Sequence, residues 1–125
     1  MLNAFEEMIA RKAMKPQVIR NAEGEYRAHF ASFRLLPKGA LAYLSAGGEV
    51  LTCHPAVKSG CIDAAAGDLK LDYDPAAMTP AQCQRWVERV LDETLRYVKE
   101  MDAAKLPTPQ ALSEELRRRL AGAQL

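Results

Sequence analysis

The 125 residues, 49% apolar and 26% charged, suit one folded domain and exclude a disordered tail, a collagen-like rod or a disulfide-dense miniprotein. Lys+Arg 17 against Asp+Glu 16 leaves a formal charge of +1, so no overall field points to nucleic acid or to an anionic membrane. No apolar run approaches the ~20 residues that span a bilayer.

Leu2, Phe5, Met8 or Ile9, and Lys12–Ala13 follow the spacing of one helix face. Asn3 with Glu6 has the form of a capping box, and Pro16 ends the segment by forcing its predecessor out of the helical region. Glu6 and Glu7 stand where a signal peptide would carry a basic start, which points away from export. Three cysteines leave at least one thiol unpaired, so a reducing cytoplasm is expected, with no cofactor and no membrane contact. The Ala and Arg content hints at a bacterial source.

Gln17–Arg20 and Glu25–Leu36 read as a β-hairpin around Asn21-Ala22-Glu23-Gly24, with Gly24 supplying a positive φ. Tyr26, Ala28 and Phe30 share one parity; Phe33 and Leu35 share the other, which suggests a bulge or a strand buried on both sides. Ala40–Leu44 and Glu49–Cys53 read as a second hairpin, joined at Ser45-Ala46-Gly47-Gly48. Val57 to Gly67 gives a poor pattern, with room for a short strand at Cys61-Ile62 and a helical turn at Ala64-Ala65-Ala66. Leu69, Leu71 and Tyr73 alternate with Lys70 and Asp72 as a half-buried strand does, and Asp74-Pro75 stops it.

Thr79-Pro80-Ala81-Gln82 opens a helix with a cap, a proline at the first helical position and a glutamine three residues on. Its stripe of Trp86, Val87, Val90, Leu91, Leu95, Val98 and Met101 predicts a helix to about Ala104. Thr108-Pro109 repeats the start, predicting a last helix to about Ala121 with Gly122 beyond its end. The expected architecture is α+β: an N-terminal helix, an antiparallel sheet of about five strands, then two C-terminal helices, the long one packed on the sheet. Residues 1–105 form the domain. Residues 106–125 form a Pro-linked helix that either belongs to it or serves as a docking or dimerisation arm.

Cys53, Cys61 and Cys83 with His29 or His54 would make four ligands of the two types zinc favours, but their spacing departs from the close pairs of structural sites, and no metal is expected. Cys53 and His54 are neighbours that a strand would point to opposite faces, and Cys83 lies just beyond the dipolar first turn of its helix. Asp72 and Asp74, with Asp63 and Asp68 nearby, offer paired carboxylates, though solvated positions explain them as well. No phosphate-binding glycine motif is present.

Residues 1–36 carry six basic and four acidic side chains. Arg20, Arg27 and Arg34 interleave there with Tyr26, Phe30 and Phe33 as a stacking surface for nucleic acid would. The terminal helix offers Leu112, Leu116 and Leu120 on one stripe and Arg117-Arg118-Arg119 beside it, a pattern for docking on its own body, on a second copy or in a partner's groove. The leading expectation is a cytoplasmic, non-enzymatic protein-binding module (an inhibitor, adaptor or assembly factor), with self-association through the last helix or an edge strand. The alternatives are a nucleic-acid accessory protein using the arginines and a small cysteine-dependent enzyme.

Overall fold

The computed structural model describes residues 15–31, 40–63, 65–100 and 108–122. In chain order these form β1 (Gln17–Ala22), β2 (Glu25–His29), α1 (Ala40–Leu51), β3 (Val57–Asp63), β4 (Asp68–Tyr73), α2 (Pro80–Glu100) and α3 (Pro109–Leu120). The sheet order is β1-β2-β4-β3, and every neighbouring pair is antiparallel. The α+β class holds, with four strands and three helices among the described residues. The proposed N-terminal helix lies outside them, as do Phe33, Arg34 and Leu35.

The first hairpin forms as its sequence predicts, with Gly24 at φ +83°; β2 is shorter than expected and ends at His29. Tyr26 and Ala28 face Leu71 and Leu69 across the β2–β4 ladder, and all four are buried with Phe30 and Tyr73. The intervening Glu25, Arg27, Lys70 and Asp72 lie on the opposite face, which is open to water. Period-two alternation therefore makes a two-layer domain, with its core on one side of the sheet only.

Two readings are corrected. The segment taken as a hairpin at Ala40–Leu44 and Glu49–Cys53 is the single helix α1, which enters between β2 and β3 rather than leaving the strands consecutive. Ala40, Leu41, Ala42, Leu44 and Ala46 favour a helix; each glycine opposes it by about 1 kcal/mol relative to alanine. Gly48 offsets that cost through packing. A Cβ there would stand 3.2 Å from the backbone nitrogen of Ile62, so the missing side chain lets α1 lie directly on β3. The helix ends by tightening, with Thr52 N–H and Cys53 N–H donating to Glu49 and Val50.

The second concerns the extent of β3, which runs over Val57–Asp63 where the sequence suggests a short strand only at Cys61-Ile62. Its inward positions are Val57, Gly60 and Ile62, and a register shift between Val57 and Ser59 interrupts the alternation. The β3–β4 turn closes on Gly67, at φ +77°, where a Cβ would lie 2.6 Å from the Phe30 carbonyl oxygen.

The start of α2 is the predicted capping box: Gln82 N–H donates to Thr79 Oγ1 and Thr79 N–H to Gln82 Oε1. Cys83, Trp86, Val87, Val90 and Leu95 are its buried stripe. Thr108 caps α3 through the Ala111 N–H, and Gly122 beyond its end has φ +74°. α3 packs against α1 and α2, with Leu112, Leu116 and Leu120 in the same buried cluster as Trp86 and Tyr26.

Candidate functional site

The last helix docks on its own body, one of the arrangements its stripe allows. Leu112, Leu116 and Leu120 are at most 3% exposed, packed into the domain's own core. The arginines beside it are also engaged. Arg119 donates to Glu115 at 2.9 Å and to Glu100 at 2.7 Å, and its guanidinium stands 4.6 Å over the Tyr97 ring. This binds α3 to α2. Arg118 donates to Glu115 at 3.0 Å, and these two arginines hold the Glu115 carboxyl below the usual carboxylate range. Arg117 is loosely opposed to Glu49, 3.9 Å away, across a cleft of about 400 Å³ between α1 and α3. Both charged ends of that pair stand in water, where such contacts are worth ~0–1 kcal/mol.

The described members of the arginine–aromatic surface, Arg20, Arg27, Tyr26 and Phe30, are not assembled on one face. Tyr26 and Phe30 lie in the core, while Arg27 projects to the other face of the sheet and pairs with Asp72 at 3.3 Å. Arg20 pairs with Glu25 at 3.1 Å. Among the described residues, cations and carboxylates thus alternate across the open face.

The carboxylates considered for acid–base work are similarly dispersed. Asp72 serves Arg27 and Ser59, and Asp68 meets His29 Nδ1 at 2.9 Å. Asp63 and Asp74 accept backbone N–H bonds from Ala66 and Ala76, fixing two turns.

The three cysteines are free, Cys53 and Cys61 exposed and Cys83 buried. Burial pushes the Cys83 thiol up to about 11 and raises that of Cys53, partly offset by Arg117. Both shifts oppose the thiolate that nucleophilic chemistry requires. His54 accepts the Ala56 N–H through Nδ1 at 3.1 Å and its ring lies 5.2 Å from that of Trp86; burial lowers its pKa. Among the described residues no group of three or more His, Cys, Asp and Glu side chains is placed to hold a metal ion.

The remaining feature is the outer strand β1. Val18 is 41% and Ile19 67% exposed, the large hydrophobics left in water among the described residues. Val18 pairs with Ala28 and Arg20 with Arg27, leaving Ile19 as the extra residue of a bulge. Among the described residues, β1 has β2 on one side and no neighbouring strand on the other. Neither residue was singled out in the sequence, although a signal exists: two adjacent β-branched residues just after Pro16 mark an edge strand. Among the described residues, no helix is long and apolar enough to cross a membrane. No protein-family model, curated protein or solved structure matches the chain.

Proposed function

We propose that the chain is a small non-enzymatic protein-binding module that takes an extended segment of another protein along β1. The observation that carries this reading is the pair Val18 and Ile19, exposed on an outer strand. An outer strand presents backbone donors and acceptors at a fixed repeat, and apolar side chains beside them add affinity for a partner strand. The balanced charge of the open sheet face favours a protein over a nucleic acid, since strand binding of the latter rests on uncompensated basic charge. Three free thiols suit a reducing cytoplasm.

The test is affinity purification from nuclease-treated extract with the natural chain and a Val18→Asp/Ile19→Asp variant in parallel, each checked by thermal melting. A protein recovered stoichiometrically with the first and lost with the second supports the reading. Equal recovery by both, or a chain that is monomeric by sedimentation and recovers nothing, overturns it. Sedimentation of the purified chain also tells whether the bound strand belongs to a second copy.

A further inference from the structure

The six residues of β1, Gln17–Ala22, carry one charge, the Arg20 guanidinium, and that side chain is 60% exposed. The ladder registers place Arg20 directly opposite Arg27, and Arg27 directly opposite Lys70. Three cations therefore lie side by side in one row across β1, β2 and β4, on the open face of the sheet. Like charges facing one another across strands are destabilising. The neighbouring row relieves them in part: Glu25 meets Arg20 at 3.1 Å and Arg27 at 3.8 Å, and Asp72 meets Arg27 at 3.3 Å. Asp68, in the row on the other side, is taken by His29 at 2.9 Å. Three cations thus lean on two carboxylates, and among the described residues no strand lies beyond the β1 end of their row.

The bulge at Ile19 decides what else a strand beside β1 would meet. Residues two apart in an uninterrupted strand point the same way, but Val18 pairs with the buried Ala28 and Arg20 with the outward Arg27. The extra residue between them puts Val18 on the apolar side of the sheet and Arg20 on the polar side. The other outward positions of β1, Gln17 and Ala22, pair with His29 and Glu25 and are themselves uncharged. A strand laid along β1 therefore meets an apolar side chain on one face and a single positive charge on the other.

We propose, resting on the reading that β1 takes an extended segment of another protein, that this segment alternates apolar with acidic residues and sets a carboxylate beside Arg20. An opposite charge there continues the row with the pairing that cross-strand neighbours favour, and an apolar side chain on the inner face covers Val18. Arg20 is then the residue that selects the partner. A phosphate chain fits less well, because the basic row is bordered by Glu25 and Asp72 on one side and by Asp68 on the other. A strand repeats its outward side chains at ~7 Å, so it brings one carboxylate to the row while its next outward residues stand beside the uncharged Gln17 and Ala22.

The test is fluorescence anisotropy of two labelled heptapeptides, Val-Glu-Val-Glu-Val-Glu-Val and the same sequence with lysine for glutamate. Each is titrated with the full natural chain and with Arg20→Gln, Arg20→Glu and Val18→Asp/Ile19→Asp variants, all checked by thermal melting. The natural chain should bind the glutamate peptide roughly tenfold more tightly than the lysine peptide. Arg20→Gln should narrow that gap and Arg20→Glu should reverse it. Equal affinity for the two peptides, or a preference that Arg20→Glu leaves in place, overturns the inference; loss of that binding in the double variant shows that the β1 reading survives. Binding that the double variant leaves intact overturns both. Binding of neither peptide overturns the inference alone, since the β1 reading is decided by the affinity purification.

Discussion

The indole N–H of Trp86 donates to the carbonyl oxygen of Leu51 at 2.9 Å, so a side chain from the middle of α2 closes the C-terminal end of α1. The bond is fully buried and joins residues 35 positions apart. It satisfies a carbonyl that a helix end leaves without an intrahelical partner. Trp86→Phe keeps an aromatic ring but orphans that carbonyl and leaves a cavity, so it should destabilise the fold by about 2–4 kcal/mol. Urea unfolding with an unchanged slope is the measurement, and a loss under about 0.5 kcal/mol would mean the bond carries nothing beyond surface-level effects.

Removing residues 107–125 withdraws three buried leucines and the Arg119 clamp. The remaining chain should lose its cooperative melt rather than survive as a smaller domain. Leu116→Ala alone should cost about 2–5 kcal/mol. A truncated protein that melts as the natural one does would show that the last helix contributes no stability to the rest.

Gly67→Ala meets two penalties at once. The left-handed φ costs a side-chain-bearing residue ~1–2 kcal/mol, and its Cβ would meet the Phe30 oxygen at 2.6 Å. That oxygen belongs to the peptide backbone of a fully buried residue and has little room to yield. The expected effect is a drop in the thermal midpoint larger than that of Gly47→Ala, where a Cβ would meet nothing within 4 Å. Equal midpoints for the two variants would contradict it.

Cys83 and Tyr26 make stability fall in alkaline solution. The thiol rises from its ordinary 9.0 to about 11 in the fold and the phenol from 10.0 to about 12. Above pH 9 the unfolded chain sheds a thiol proton that the folded one keeps, so proton loss favours unfolding. Denaturant midpoints should decline from about pH 9 upward, and the decline should be smaller in Cys83→Ala measured against its own value at pH 7. Iodoacetamide at neutral pH should label the exposed Cys53 and Cys61 while leaving Cys83 protected until the protein unfolds.

The parts readable from sequence were those whose cause is local. Thr79 and Gln82 exchange bonds within one turn, and Thr108 repeats half of that device; both helix starts follow from neighbours in the chain. α1 has the sequence of a hairpin because Gly47-Gly48 is also what a tight turn looks like. What decides the matter is Ile62, which no local pattern reveals. β3 is legible only as a short strand at Cys61-Ile62 for a related reason: its inward positions are held by a valine, a glycine and an isoleucine, with a bulge among them. The arginine–aromatic interleaving failed differently, since Tyr26 and Arg27 differ in parity and a strand sends them to opposite faces. Val18 and Ile19 became a candidate site only once the sheet order placed β1 on the outside.

That sheet order also dictates a sequence of events during synthesis. β4 sits between β2 and β3 yet is the last of the described strands to leave the ribosome. Until Tyr73 has emerged, β2 has a neighbour on one side only, and β3 has none among the other strands. α1 must therefore wait with its Gly48 face uncovered while some twenty residues are added, an interval in which non-native pairing competes with the fold. The nascent chain is at its most vulnerable near its midpoint, and the arrival of β4 ends that exposure for both strands at once.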